Sequence, residues 1–467
     1  MPSEPLTAVS SIDGRYRDTS SALAEHMSEY ALIRARVRVE SEYLIALSET
    51  KGVGLRALTT EEKKLLAKLA DISVEDAKIV KAIEKEGYEG IPATNHDVKA
   101  VEYFLKLKLA KTSLVDVSEW LHFALTSEDV NSVSLALMLR GALQEVIEPA
   151  LKEIDEHLGR LAKEYAKTPM LARTHGQGAS PTTFGKEFKV FSERLKKQLA
   201  QLNNQKISVK LSGATGNFNA HVAAFPKIDW VEFATSFIEK FNSDREIKLE
   251  LNLTVTQIDP HDSEAGVFDN LRRINTILID FNQDIWRYIS DEWIVQKPAD
   301  GTVGSSTMPH KINPIKFENS EGNLGMANTF FEFFSRKLPI SRLQRDLSDS
   351  TVERNFGPAL AYSLIAYEYL LKGLSQISIN EEKVKQDLNN HPEVITEAIQ
   401  TILRREGVAM PYEKLKELSR GKKITLTDIN KFIDTLEVSK KIKEELKKIT
   451  PENYIGLASK LASNSVR

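Results

Sequence analysis

The chain of 467 residues is long enough for two or three domains, and its 41% hydrophobic content is ordinary for a globular protein. Its 63 Lys and Arg residues nearly balance 66 Asp and Glu residues, so the molecule as a whole does not attract nucleic acid or an anionic membrane. The absence of cysteine excludes disulfides, thiolate nucleophiles and cysteine-ligated metals. We find no secretory signal pattern and no apolar run of membrane-spanning length, and therefore expect a cytoplasmic protein.

The first hundred residues predict short helices and two polar turns. Apolar residues recur at helical spacing over 22–48, preceded by a turn that presents Arg15 and Tyr16. A later loop delivers Thr94-Asn95-His96-Asp97 to a helix that begins near Val98. Thr94, Asn95 and Asp97 are plausible helix caps, but capping leaves His96 unexplained.

The predicted helices become much longer after about residue 116. Thr126-Ser127-Glu128-Asp129 has the form of a capping box, and the helix that it opens should run to about Tyr165 with a kink at Pro149. Further long helices are predicted from Phe184 past Leu202 and after Pro314. Helices of this length are typical of a bundle, and they shorten again from about residue 375. We predict an all-α fold with three domains: residues 1–116, a central long-helix bundle over 117–374, and residues 375–467.

Polar loops separate the long helices. One carries His175 between glycines, another contains Gln257, and a third runs from Gly304 to Pro314 with Ser305, Ser306 and Lys311. For any one of them a plain surface loop is the alternative, and a lone loop histidine is more often a structural hydrogen-bonding group. No histidine pair has metal-ligand spacing, and no dinucleotide or phosphate-binding fingerprint is present. We therefore predict no metal and no cofactor.

Two of these loops and the capping box at Thr126 resemble the three shared regions of the fumarase/aspartase lyase superfamily. Ser305-Ser306-Thr307-Met308-Pro309-His310-Lys311-Ile312-Asn313-Pro314, followed by Glu318, resembles its signature. The Thr174-His175-Gly176-Gln177 loop and the capping box at Thr126 are similar to its other two regions, in the same order. His310 after Met308-Pro309 resembles the adenylosuccinate lyase branch rather than fumarase. The resemblance covers nearly the whole chain, and its order and spacing are most similar to the bacterial type of that branch. Other features similar to that branch are Asp13-Gly14-Arg15-Tyr16, Asn95-His96-Asp97, and the set Arg345, Ser350 and Arg354.

The resemblance implies a carbon–nitrogen lyase of purine biosynthesis. The expected reaction is an acid/base β-elimination that cleaves adenylosuccinate to AMP and fumarate, and SAICAR to AICAR and fumarate. The expected assembly is a homotetramer whose core is the long-helix bundle and whose active sites are shared between subunits. The alternatives are another lyase of the superfamily, acting on carboxymuconate or argininosuccinate, and a non-catalytic structural relative.

The resemblance also implies roles for individual residues. Ser305 is assigned as the base, although the sequence itself does not separate it from Ser306, and His175 is assigned as the general acid. Lys311 and Asn313 would stabilise the negative charge that develops on the carboxylate. His122, Glu318 and Ser306 are expected to support the site. The predicted substrate-binding residues are Arg15, Tyr16, Asn95, His96, Asp97, Thr126, Ser127, Gln257, Lys311, Asn313, Arg345, Ser350 and Arg354.

Overall fold

The computed structural model describes residues 4–297, 312–419 and 424–463. The described chain is mostly helical, which confirms the predicted fold class at that level. Its strands are only two to four residues long. The helices are α1 Arg17–Ser20, α2 Ala24–Met27, α3 Glu29–Glu49, α4 Thr60–Leu69, α5 Val74–Lys85, α6 Asp97–Leu109, α7 Ser127–Ala142, α8 Glu148–Glu164, α9 Phe184–Asn203, α10 Asn219–Ala224, α11 Trp230–Glu239, α12 Asp262–Ser290, α13 Ile315–Lys337, α14 Ser348–Glu353, α15 Phe356–Leu374, α16 Glu381–Asn389, α17 Thr396–Arg405, α18 Pro411–Ser419, α19 Leu426–Thr435, α20 Lys440–Lys447 and α21 Ala458–Ala462.

The strands form isolated pairs. They are β1 Pro169–Met170, β2 Arg173–Thr174, β3 Gln177–Gly178, β4 Thr182–Thr183, β5 Lys206–Val209, β6 Lys248–Leu251, β7 Ile294–Gln296 and β8 Ile377–Ile379. The pairs β1–β4, β2–β3 and β7–β8 are antiparallel, whereas β5 and β6 are parallel, with Lys206 opposite Lys248 and Val209 opposite Leu251.

The long helix predicted from the capping box at Thr126 is present as α7 and α8, joined by a π turn at Leu143–Ile147. Thr126 is the N-cap residue, and its backbone N–H donates to Asp129 Oδ2 at 2.8 Å. The π turn lies directly before Pro149, which has no N–H to donate to the carbonyl four residues earlier. A kink was predicted at Pro149, and what the structure shows next to it is a π turn, which shifts the hydrogen-bonding register of the helix.

The chain divides into two compact units. Unit 1 comprises Met1–Leu151, Gln198–Thr276 and Gly322–Glu368, and unit 2 comprises Lys152–Lys197, Ile277–Glu321 and Tyr369–Arg467.

Unit 1 has an apolar core between α3, α4, α5 and α6. Val37 and Leu44 of α3 and Phe104 of α6 are fully buried in it. Periodic apolar residues on these helices bury one face each, and burial of each such side chain stabilises the fold by about 1.5–3 kcal/mol. The opposite faces remain polar, and the first turns of α6 and α7 carry polar side chains.

Unit 2 contains an aromatic cluster of Phe184, Phe188, Phe281, Tyr288 and Trp293, in which Phe184 meets Tyr288 and Trp293 edge to face and Tyr288 stacks on Trp293. At the start of α9 the backbone comes very close to α8. A Cβ atom added at Gly185, the second residue of α9, would lie 2.4 Å from Ala162 O and 2.5 Å from Ala166 Cα. Only glycine fits this approach, because any side chain would overlap backbone atoms.

Candidate active site

Unit 1 contains a cavity of about 600 Å³ beside the first turns of α6 and α7. Seven predicted substrate-binding residues are part of its lining. They are Asn95, His96, Asp97, Ser127, Arg345, Ser350 and Arg354. The structure therefore gathers residues from three distant stretches of sequence around one space.

Arg36 of α3 also lines the cavity, although it was not among the predicted site residues. Its side chain is only 4% exposed and pairs with Asp97 Oδ2 at 2.8 Å, while its Nε donates to Asn131 Oδ1 at 2.9 Å. Burial alone would raise the pKa of Asp97, but Arg36 outweighs it and holds that pKa below its ordinary value. A charged residue on the apolar face of an amphipathic helix was the available signal.

Arg345 is held firmly by two acidic side chains. It forms ion pairs with Glu128 Oε2 at 2.9 Å and with Asp349 Oδ2 at 3.4 Å, and it is 13% exposed. Neither carboxylate was in the predicted set, although Asp349 is only four residues after Arg345 and Glu128 lies in the first turn of α7. With two carboxylates around one guanidinium, its orientation is fixed before any ligand binds.

Arg354 is held more loosely than Arg345. It is 54% exposed, and its two ion pairs are long, at 3.4 Å to Glu29 Oε2 and 3.7 Å to Asp97 Oδ2. Exposed pairs of this length contribute little to stability. The guanidinium can therefore exchange them for stronger contacts with an anionic ligand.

Asp129 joins the start of α7 to the glycine-marked loop that follows β5. Its carboxylate accepts hydrogen bonds from the backbone N–H groups of Ser212 at 2.8 Å and Gly213 at 3.1 Å. It also pairs with Lys210 Nζ at 2.6 Å, and neither side chain has any exposure. Lys210 Nζ in addition donates to Gly213 O. Glu128 and Asp129, adjacent in sequence, thus fix two separate segments of the site.

Gln257 connects the glycine-marked loop after β5 to Arg345. Its Nε2 donates to Ala214 O at 3.1 Å, and its Oε1 accepts from Arg345 Nη1 at 3.4 Å. The predicted residue therefore contacts a cavity-lining arginine, although it is not itself part of the lining.

His96 is the N-cap residue of α6, so capping does account for it. Its Nδ1 accepts from the backbone N–H of Lys99 at 3.2 Å, and its Nε2 lies 3.4 Å from Ser127 Oγ. Because a capping Nδ1 must be unprotonated, the network assigns the hydrogen of a neutral imidazole to Nε2. His96 therefore presents an N–H donor at the cavity wall.

His122 lies next to a buried carboxylate. Its Nδ1 is 2.5 Å from Glu40 Oε1, and its backbone N–H donates to Glu40 Oε2 at 3.1 Å. Burial alone would lower the pKa of His122, but Glu40 outweighs it and raises that pKa above its ordinary value.

A buried acid–base group stands behind the cavity. His261 lies 3.8 Å from both Glu264 and Glu353. Burial opposes the charge on His261, but these carboxylates raise its pKa to about 10. Burial raises the pKa of Glu353 to about 8, since Glu128 and Asp349 reinforce the effect and His261 only partly opposes it. Glu353 lines the cavity, so this raised pKa reduces the negative charge that its carboxyl group brings there.

Arg15 and Tyr16 are not part of the cavity lining. The guanidinium of Arg15 lies 5.9 Å from the centre of the Tyr16 ring, and Arg15 is exposed.

His175 belongs to unit 2 and lies at the tip of the β2–β3 hairpin. Arg173 pairs with Gly178 and Thr174 with Gln177, so His175 and Gly176 form a two-residue turn. Their φ angles of 54° and 75° are both positive, as a type I′ turn requires. The side chain of His175 is exposed.

Residues of α16 and α17 hold this hairpin and the chain that follows it. Arg173 Nη2 pairs with Asp387 Oδ2 at 3.1 Å, and its guanidinium lies over the ring of Trp293. Ser180 Oγ donates to Glu397, which also accepts from the hydroxyl of Tyr454 at 2.9 Å. The C-terminal helices of unit 2 therefore fix the backbone on both sides of His175.

Most of the signature lies outside the described residues, including Ser305, Ser306 and Lys311. Asn313 is described and stands two residues before α13. Glu318, in the first turn of α13, accepts from Trp286 Nε1 at 3.1 Å.

Among residues 4–297, 312–419 and 424–463, no group of His, Asp and Glu side chains is arranged to hold a metal ion. Within the same part of the chain, no helix has the length and apolar character needed to cross a membrane.

Comparisons with known proteins agree with this architecture. The profile of the family described as Lyase matches residues 14–328, and that described as Adenylosuccinate lyase C-terminal matches residues 341–455. The fold is similar to that of a 3-carboxy-cis,cis-muconate lactonizing enzyme from Pseudomonas putida, with a TM-score of 0.72, 19% identity and 96% of each chain covered. A fumarate lyase from Mesorhizobium sp. BNC1 gives a TM-score of 0.72 at 16% identity, covering 96% of this chain and 98% of the other. Fold and profile together define the chain as a lyase of this helical class.

Curated relatives narrow the assignment. The chain is 47% identical to the adenylosuccinate lyase of Escherichia coli (strain K12) over 456 residues, which cover 97% of each chain. It is 48% identical to that of Dictyostelium discoideum over 462 residues, again 97% of each chain. The chain belongs to the adenylosuccinate lyase family.

Proposed function

We propose that this protein cleaves adenylosuccinate to AMP and fumarate by acid/base β-elimination, and SAICAR to AICAR and fumarate in the same way. The observation that carries the proposal is the cavity of unit 1. In it Arg345 and Arg354, with the N–H donor of His96, surround a space suited to a ligand with several anionic groups. Family membership over the full chain supports the reaction class.

The two cavity arginines suit different tasks. Arg345 is locked by Glu128 and Asp349, so it offers a preorganised contact whose ordering cost is met during folding. Arg354 is exposed and loosely paired, so it can close on the ligand as it binds. We assign both to the carboxylates or the phosphate of the substrate.

The chemical step requires removal of a proton from carbon beside a carboxylate. We assign Ser305 as the base, with Ser306 as the alternative, on the resemblance of the signature alone. A serine hydroxyl is a weak base unless its alkoxide is stabilised or a neighbour accepts the proton. Lys311 and Asn313 are assigned to the negative charge that develops on the substrate carboxylate.

His175 is assigned as the general acid that protonates the departing nitrogen. An imidazole titrates near neutrality, as this role requires. Its place in the β2–β3 turn defines the best test. Asparagine is favoured in type I′ turns, whereas alanine at φ 54° is strained, so His175→Asn removes the imidazole and keeps the turn.

We expect His175→Asn to lower kcat by about 100-fold or more, as loss of a general acid does, with little change in the melting temperature. The reaction is followed by the ultraviolet absorbance change on adding adenylosuccinate. Wild-type kcat in His175→Asn would contradict the assignment. His175→Ala is the companion variant, and we expect it to lose additional stability through the turn.

An assay of purified wild-type protein with adenylosuccinate tests the proposed function directly. We expect fumarate release with adenylosuccinate and with SAICAR, and none with argininosuccinate or carboxymuconate. Turnover of one of the latter instead of adenylosuccinate would move the chain to another lyase specificity. Folded protein that turns over none of the four would favour a non-catalytic relative.

We also propose the homotetramer, with active sites shared between subunits, and the three-domain division at about residues 116 and 374. In support, α13 exposes Met326 and Phe333, seven residues apart on one face, by 47% and 42%. Gly322 and Gly325 precede them, and nothing lies within 4 Å of a Cβ added at either. Exposed mid-helix glycines each cost about 1 kcal/mol of helix stability, a cost that close packing of another helix would offset.

A further inference from the structure

Unit 1 has a second cavity, of about 480 Å³, which shares Met138 with the lining of the first and contains none of the residues assigned to the proposed reaction. It lies between α3, the C-terminal half of α7, the π turn and the segment around Arg245. Four arginines line it, with His26 and four acidic residues. The arginines are Arg34, Arg38, Arg140 and Arg245, and the acidic residues are Glu25, Glu42, Asp71 and Glu145.

Arg140 is the unusual member of this lining. The residue is only 5% exposed, and the hydrogen bond described for it, from Nη1 to Asn242 Oδ1, is long at 3.3 Å. Across the described residues no carboxylate lies within ion-pair distance of its guanidinium. A buried charge without a partner is costly, by several kcal/mol in a typical interior.

The neighbouring charges add to that cost. Burial lowers the pKa of Arg140 to about 10, and repulsion from Arg245 and Arg38 adds to this shift, but Arg140 remains charged at pH 7. Glu145 is the acidic group nearby, and it is already paired with Arg245 at 2.8 Å and lies 3.6 Å from His26. Burial lowers the pKa of His26, although the nearby Glu145 partly opposes this shift. This end of the cavity therefore carries an excess of positive charge.

Arg34 provides a contrast within the same cavity. It pairs with Glu25 Oε2 at 2.9 Å and also donates to the backbone oxygen of Glu25. Arg38 has no such partner among the described residues; it is exposed, and its guanidinium lies over the ring of Phe241. The uncompensated charges are thus Arg140 and Arg38, whereas Arg34 and Arg245 are neutralised.

We propose that this cavity is a binding site for a small oxyanion of the phosphate class, held by Arg140 and Arg38. Two guanidinium groups can each offer parallel N–H donors to a tetrahedral oxyanion, which is a preferred geometry for arginine. Glu42 and Asp71 also line the cavity, so a ligand that is negative along its whole length is disfavoured. The site is selective for a compact anion at the Arg140 end.

Thermal unfolding of the whole protein in inorganic phosphate tests the site without any activity measurement, so its outcome is independent of the proposed reaction. A bound anion raises Tm with its concentration, and the rise gives an apparent Kd. Potassium chloride at equal ionic strength controls for screening. We expect Arg140→Met to raise the apparent Kd for phosphate by about tenfold or more, as loss of charged hydrogen bonds does.

Arg34→Gln is the matched control, since it removes an arginine of the same cavity that already has a carboxylate. It should keep the wild-type Kd. Phosphate that binds only beside Arg345 and Arg354 would protect Arg140→Met as well as the wild type, and that result would overturn the inference. Arg38→Gln, at an exposed position, should also weaken phosphate binding. If Arg140→Met does not fold, an unchanged Kd in Arg38→Gln overturns the inference.

Discussion

Asp129 and Lys210 form an ion pair from which water is excluded, but their surroundings differ. Asp129 also accepts from the N–H groups of Thr126, Ser212 and Gly213. Within the described parts of the chain, the ammonium of Lys210 contacts only the Asp129 carboxylate and Gly213 O. Removing the Asp129 carboxylate therefore leaves the Lys210 ammonium with almost no compensation. Removing the Lys210 ammonium leaves the Asp129 carboxylate with several N–H donors.

We expect Asp129→Asn to lower the free energy of unfolding by about 3–5 kcal/mol, as breaking a buried pair does. Lys210→Met should cost less, about 1–3 kcal/mol. Urea denaturation of both variants measures the difference. Equal losses would show that the backbone donors around Asp129 do not stabilise its charge.

The buried imidazole of His221 makes the free energy of unfolding depend on pH in the acidic range. Burial lowers the pKa of His221 to about 4, since Asp129 only partly opposes the effect and Lys210 reinforces it, while an unfolded imidazole titrates near pH 6.5. As pH falls from about 6.5 to 4, the unfolded state binds a proton that the folded state does not. This group therefore removes stability over that window, by about 3 kcal/mol in total.

The variant His221→Asn isolates this contribution. We expect its free energy of unfolding to fall less steeply than that of the wild type between pH 6.5 and 4, with parallel profiles above pH 7. Tyr43, Asp129 and Lys210 surround the ring in both proteins, so their own titration cancels in the comparison. Identical profiles over the whole range would exclude the effect.

At the scale of elements, the contact between α8 and α9 depends on the missing side chain of Gly185. A methyl group there would meet the backbone of α8 at 2.4 Å, so the helices would have to separate. We expect Gly185→Ala to cost about 1–3 kcal/mol or more. Gly159→Ala in α8 is the control, because nothing lies within 4 Å of its added Cβ, and it should stabilise the helix by about 0.5–1 kcal/mol. Denaturation midpoints measure both effects. If Gly185→Ala and Gly159→Ala shift the midpoint in the same direction, the close contact between α8 and α9 at Gly185 is contradicted.

Local signals predicted the helices well. The capping box at Thr126 and the start of α9 at Phe184 follow from residues within one or two turns of each boundary. The β5–β6 pair was not predicted, because four-residue strands have too few residues to show a period and their parallel pairing joins residues that are distant in sequence. The form of the change at Pro149 was also missed, since a proline removes a donor but does not specify a π turn.

At the scale of the whole molecule, the cavity residues were predicted by resemblance and not by physics. Asn95, Ser127 and Arg354 are far apart in sequence, and periodicity gives no reason for them to meet. Glu128 was missed for the same reason, since it reaches Arg345 only through the tertiary fold. Asp349 is only four residues from Arg345, but this spacing alone did not distinguish it from the other charged residues of that stretch. Because Ser305 lies outside the described residues, its role remains a prediction.

The exposed face of α13 makes the proposed assembly testable. We expect wild-type protein to elute with four times the mass of one chain in size exclusion with light scattering. Phe333→Lys places a charge on this face and should shift the protein to smaller species, with loss of turnover if active sites are shared. Val231→Lys changes an equally exposed apolar residue on α11, 43% against 42%, and should leave the mass unchanged. Dissociation by both variants alike would point to general destabilisation.

The ion pair between Arg354 and Glu29 joins residues 325 positions apart. A ribosome adding about 5–20 residues per second needs on the order of 20–60 s to make the second partner after the first. During that interval Glu29 and Asp97 have emerged, but the arginine that joins them across the cavity has not. The cavity, whose lining includes Arg345, Ser350 and Arg354, therefore cannot be complete on the nascent chain until α14 and the residue after it are made. Truncated chains that end before this helix should lack the pocket even where α3 and α6 have already folded.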